Sequence, residues 1–159
     1  MKLREAYGRK VVSTDDAEAI GRLDAFIIDP RQRSVVGLRL AKVRGDRPFL
    51  SWANLQGFGT DAITVGSADL LRLAADEAEE RAASKALQPI EKLVLSEYGT
   101  ALGKVEDVDF DETSGALVGF DLGDAGNVSS DRLLGIGSYA VVVEEAVQEA
   151  APGGGPITS

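Results

Sequence analysis

Apolar and polar residues alternate in short runs along most of the chain, separated by turn-forming residues, and this predicts β-strands rather than helices. In the first part, Lys10 to Ser13, Ile20 to Asp29, Val35 to Lys42, Pro48 to Ser51 and Ala62 to Val65 read as five strands. Pro30-Arg31-Gln32-Arg33 and Gly45-Asp46 supply turns between them. Leu93 to Ser96, Ala101 to Asp111, Ala116 to Leu122, Asn127 to Ser129 and Tyr139 to Val143 read as five more, with turns at Thr113-Ser114-Gly115 and Asp124-Ala125-Gly126. Within the long strand the apolar phase slips by one residue between Leu23 and Phe26, and again between Val105 and Val108. A shared slip of this kind predicts a β-bulge, which bends a strand around a small barrel.

The two sets of strands repeat one another. Ile20 to Asp29 aligns with Leu102 to Asp111 at an offset of 82, and the same offset pairs Val36-Gly37-Leu38-Arg39-Leu40 with Val118-Gly119-Phe120-Asp121-Leu122. Ser51 to Gly59 then aligns with Ser129 to Gly137 at an offset of 78, so the second copy is four residues shorter in one turn. Turns accept such length changes, whereas paired strands do not. Between the copies, Ser67 can cap a helix from about Ala68 to Leu87, with Leu70, Ala74, Ala78, Ala82 and Ala86 at four-residue spacing and Pro89 as its stop. The expected organisation is a first unit at 1–66, a linker helix at 67–89, a second unit at 90–143, and a tail at 144–159 that is acidic and then flexible.

Composition narrows the chemistry. The chain has no cysteine and no histidine, which removes disulfides, thiolate nucleophiles, imidazole bases and the commonest zinc ligands. No catalytic residue set emerges, so no enzyme, cofactor or metal is expected. The net charge of -9 disfavours nucleic-acid binding. With no apolar run long enough for a signal peptide or a membrane span, no membrane insertion is expected and a cytoplasmic location follows. The charge is uneven: residues 1–66 hold 11 Lys and Arg against 8 Asp and Glu (+3), and residues 67–159 hold 6 against 18 (-12).

Three motifs suggest chemistry. Asp107-Val108-Asp109-Phe110-Asp111 imitates the start of a calcium loop, but Glu112 stands where glycine is needed and Val118 where the bidentate glutamate is needed. The three aspartates are therefore expected to form a solvated strand face. Gly135-Ile136-Gly137-Ser138-Tyr139-Ala140 matches a dinucleotide fingerprint by letter, yet a strand follows it where the fingerprint requires a helix. Its counterpart Gly57 to Ala62 marks these glycines as turn architecture. Trp52, the only tryptophan, follows Ser51 at an expected helical turn and is open to two readings, a plug for the first unit or an exposed anchor for a partner.

The pattern apolar-Gly-Lys/Arg-apolar-x-x-apolar-x-apolar-Asp, then a turn, Val-Gly-apolar-x-apolar and a later Gly-x-Gly, resembles the PRC-barrel superfamily. Here it is carried by Ile20 to Asp29, Val36 to Leu40 and Gly57 to Gly59, and again by Leu102 to Asp111, Val118 to Leu122 and Gly135 to Gly137. The resemblance implies an all-β protein, two small PRC-like barrels in tandem joined by a linker helix, and a cytoplasmic, non-catalytic module. The expected function is protein interaction or scaffolding, with the two units docked as a pseudo-dimer about an approximate two-fold axis. The first unit alone is net positive and holds the aromatics that the second lacks, so Arg31, Arg33, Phe49, Trp52 and Phe58 are the expected partner-binding residues. The alternative is a small-molecule or ion-binding regulator with its site between the units.

Overall fold

The computed structural model describes residues 1–145, and the expected acidic and flexible tail lies, but for Glu144 and Glu145, outside them. The fold is all-β apart from two short helices, α1 (Leu3–Ala6) and α2 (Glu77–Ala82). The first half holds six strands: β1 (Lys10–Ser13), β2 (Glu18–Asp29), β3 (Ser34–Ala41), β4 (Phe49–Ser51), β5 (Leu55–Phe58) and β6 (Ile63–Val65). One of them, β5, was not expected; it follows a 3-10 turn at Trp52–Asn54. They form one sheet in the order β4-β3-β2-β1-β6-β5, antiparallel except for the pair β1 and β6.

Strand β2 serves two neighbours by bending. Its first residues, Glu18 to Arg22, pair with β1, and Arg22 to Asp29 pair with β3. A register shift between Leu23 and Ala25 leaves Asp24 unpaired at the bend, the bulge that the phase slip predicts. In the second half the same bend goes further and interrupts the strand. There β7 (Leu93–Ser96) pairs with β8 (Ala101–Lys104), and after Val105-Glu106 the chain resumes as β9 (Asp107–Phe110) beside β10 (Leu117–Asp121). β11 (Asn127–Ser129), β12 (Leu133–Ile136) and β13 (Ala140–Val143) complete two sheets, β11-β10-β9 and β12-β13-β7-β8, with β13 parallel to β7. Joined across the break, these two sheets list their strands in the order of the first sheet. None of the three sheets closes into a barrel.

The single linker helix expected from Ala68 to Leu87 is not formed. Ser67 caps only a 3-10 turn at Ala68–Leu70, and α2 starts nine residues later, capped by Asp76, whose side chain accepts from the Glu79 N–H. The reason is tertiary. Arg72 leaves helical geometry to exchange two 2.9 Å backbone hydrogen bonds with Phe49, covering the outer edge of β4. Its guanidinium then holds both Glu79 carboxylate oxygens, at 2.7 and 2.6 Å, and keeps that carboxyl below its ordinary pKa. Ala83 is fully buried with Ala25, Ile27 and Phe49, and Ala74 and Ala82 pack on that small cluster, so part of the alanine stripe does reach the core.

One larger core runs through both halves. It includes Leu3, Val11, Phe26, Leu38, Leu50 and Ile63 from the first half and Val94, Val108, Phe110, Phe120, Leu133 and Val141 from the second. Burial of apolar surface is the main driving force of folding, so a core shared in this way ties the stability of each half to the other.

Candidate functional site

The seam between the halves is built from reciprocal contacts. Val35 N–H donates to the Gly115 carbonyl at 2.7 Å, and Leu117 N–H donates to the Arg33 carbonyl at 2.8 Å. Adding 82 to Arg33 and Val35 gives Gly115 and Leu117, so the two bonds exchange places under that offset, with the bridge between Ser34 and Ala116 between them. A second pair of contacts is alike in placement, the segment ahead of each half's first strand crossing to the other half, but it does not map residue by residue. The segment before β1 crosses to β9, where Met1 and Phe110 exchange backbone bonds and Lys2 bridges Asp109. The segment before β7 crosses to β2: Gln88 Oε1 accepts from the Phe26 N–H at 2.9 Å, and Gln88 Nε2 donates to the Phe26 carbonyl at 3.0 Å. Gln88 thus acts as a strand partner where β1 no longer flanks β2. Tyr7 donates its hydroxyl to the same Oε1, and burial raises its phenol pKa.

Aromatic side chains fill the seam. Phe110 of the second half stands 5.6 Å from Phe26, 5.3 Å from Phe58 and 6.2 Å from Trp52, each in an edge-to-face arrangement. Trp52 stacks on Phe58 at 5.4 Å, and the Arg9 guanidinium lies 5.6 Å from the Phe58 ring centre. Beside them a pocket of about 360 Å³ opens between Trp52, Leu55, Gln56 and Phe58 on one side and Glu112 and Thr113 on the other.

This packing decides the fate of the expected partner-binding residues. Phe49 (3% exposed) and Phe58 (6% exposed) are core side chains, so neither is presented to a partner; Phe49 lies under Ala83, and Phe58 under Trp52 and Phe110. Trp52 is half-buried, combining the two readings of a plug and an accessible edge. Arg33 is half-buried and turned inward at φ 53°, its Nε donating to the Leu133 carbonyl. Arg31 is exposed. The five residues therefore do not form one surface.

The acidic run also differs from expectation. Asp107 and Asp109 are half-buried rather than a solvated face, because the N-terminal segment lies on them. Asp107 accepts from the Arg4 N–H, Asp109 pairs with Lys2 Nζ at 3.1 Å, and Asp111 accepts from the N–H groups of Thr113 and Ser114 in the turn. Among the described residues no group of acidic side chains has metal-ligating geometry. The Gly-x-Gly segments are hairpin turns in both halves, closed by Gly59 N–H to Ala62 and Gly137 N–H to Ala140 carbonyl bonds of 3.0 Å.

Gln88 is a seam residue that sequence reasoning passed over, and Gly115 was read there only as a turn residue. Gly115 adopts φ 82°, and a Cβ there would stand 2.6 Å from the Val35 carbonyl oxygen and 3.0 Å from the Trp52 ring. Gly115→Ala is expected to cost about 2 kcal/mol or more, from positive-φ strain together with overpacking. Chemical denaturation followed by Trp52 fluorescence checks this, and an unchanged midpoint would show that the seam has slack.

A search against known families matches residues 85–148 to the PRC-barrel domain, a general type of protein-interaction module. The match covers the unit expected at 90–143 and does not extend to residues 1–66. No curated protein matches the chain. Among the described residues no helix is long and apolar enough to cross a membrane.

Proposed function

We propose that this chain is a non-catalytic protein-interaction module made of two PRC-barrel-type units, a tandem duplication docked as a pseudo-dimer. The strand order common to the two halves and the seam bonds that exchange under the 82-residue offset support the duplication. The observation that carries the functional reading is the placement of the aromatic residues. They are spent on joining the halves, which leaves outer sheet faces free to differ between the copies. A duplicated fold with one fused core and two unlike outer surfaces is suited to holding a partner in a fixed orientation.

Affinity capture with the full tagged chain, against an unrelated acidic protein as control, tests this reading. A partner recovered in stoichiometric amount is expected, and recovery of nothing beyond the control would overturn it. The pocket at Trp52 favours a second reading, small-molecule binding at the seam. Saturable quenching of Trp52 by a compound, with no protein partner captured, would establish that reading instead.

A further inference from the structure

The outward sides of equivalent strands in the two halves have opposite character. In the first half, Lys10 and Val12 on β1, Thr64 on β6, Gln56 in the β5 bulge and Asp61 in the turn occupy this side. The matched residues of the second half are Leu93 and Leu95 on β7, Val142 on β13, Leu134 in the β12 bulge and Tyr139. Four of the five positions thus change from polar or charged to apolar. Leu134 is 45% exposed and Tyr139 76% exposed. Neither they nor Leu93, Leu95 and Val142 belong to or pack on either core cluster. A groove of about 440 Å³ runs over this face, lined by second-half residues alone, including Leu95, Tyr139 and Val142.

Charge is distributed along the face. At the end where β7 and β13 finish, Glu97, Glu144 and Glu145 are exposed and none forms a salt bridge with the described residues; the cation beside them, Arg132, donates to the Glu144 backbone carbonyl and leaves the three carboxylates in excess. The Glu97 N–H bonds the Val143 carbonyl, and Glu145 N–H bonds the Glu97 carboxylate, which holds the group at that end. Lys104, the cross-strand partner of Leu93, stands at the opposite end.

We infer that this face of β7, β12 and β13 is the docking surface for a short basic amphipathic segment of a partner protein, the apolar side chains lying on the sheet and a Lys or Arg cluster meeting Glu97, Glu144 and Glu145. This rests on the interaction-module reading above. The five apolar side chains fall well short of the roughly 20 to 30 residues per side of a standard globular interface, which fits a segment and not a folded domain. A second copy using the same face would bring two acidic halves together, each with a net charge of -12 over residues 67–159, and like charges oppose such an encounter.

The test uses the full chain and a short helical peptide with leucine along one side and lysines at one end, with the same peptide carrying glutamates as control. Nuclear magnetic resonance titration should place the shift changes at Leu93, Leu95, Leu134, Tyr139 and Val142, with binding that weakens as salt is raised. Leu134→Gln with Val142→Thr transfers the first half's residues to the second, preserves the fold as judged by thermal melting, and should weaken binding about tenfold or more. Glu97→Lys with Glu144→Lys should shift preference toward the glutamate peptide. Equal binding of both peptides by the unaltered chain, shifts mapping elsewhere, or self-association that Leu134→Gln abolishes would overturn the inference. Running the Leu134→Gln, Val142→Thr chain through the affinity capture separates the two proposals. Retained capture rejects this face and leaves the interaction reading standing, whereas no capture by the unaltered chain rejects that reading itself.

Discussion

Replacing Phe110 with alanine is expected to destabilise the whole chain by about 3 to 5 kcal/mol, although Phe110 belongs to the second half alone. Its ring is 1% exposed and stands within 6.2 Å of three first-half ring centres, those of Phe26, Phe58 and Trp52. Truncation removes buried area and leaves a cavity bounded by Phe26 and Phe58, themselves fixed in strands that cannot easily collapse toward it. The informative readout is Trp52 fluorescence during urea unfolding, because the probe is in one half and the substitution in the other. A shared core requires that the Trp52 transition move to lower urea together with the far-ultraviolet circular dichroism signal, as one transition. If the dichroism splits into two steps while the Trp52 midpoint stays in place, the halves are energetically independent and the account of the seam is wrong.

Most strand positions were legible because they rest on local alternation and on glycine, proline and aspartate chemistry at turns. The bulge at Asp24 could be read for the same reason, as a phase slip in a run of apolar residues. The linker was not, because helical spacing at Leu70, Ala74, Ala78, Ala82 and Ala86 is a weak local preference. Backbone pairing of Arg72 with Phe49 overrides it across 23 residues of sequence. Burial of Phe49 and Phe58 was missed on similar grounds. An aromatic residue reads the same in a sequence whether it faces a partner protein or the other half of its own chain. Gln88 gave no signal at all, since its role depends on where β1 stops flanking β2. The contrast between Lys10, Gln56, Asp61 and Thr64 and their counterparts Leu93, Leu134, Tyr139 and Val142 was present in the aligned segments. Without knowing which side of each strand faces outward, it could not be told from ordinary divergence in a core.

Expressed apart, residues 1–66 and residues 90–143 are each expected to lack a cooperative melting transition. A unit of about 60 residues buries only about 60% of its chain surface and is marginal even when its core is complete. Here neither core is complete. The first piece loses Phe110 from its aromatic cluster, exposes Phe26 and Phe58, and leaves the Val35 N–H without the Gly115 carbonyl. It also loses Gln88, so the N–H and carbonyl of Phe26 give up partners inside an apolar site, a desolvation cost of about 1 to 3 kcal/mol for each group left unsatisfied. The second piece loses the N-terminal segment that covers β9, and with it the backbone pairing of Met1 to Phe110 and the Lys2 contact to Asp109. Set against total stabilities of about 5 to 15 kcal/mol, these losses take a large share of what a marginal domain has. Calorimetry of each piece and of the intact chain decides the matter. Two pieces melting as sharply and as high as the whole would mean that the reciprocal seam contributes contacts without contributing stability.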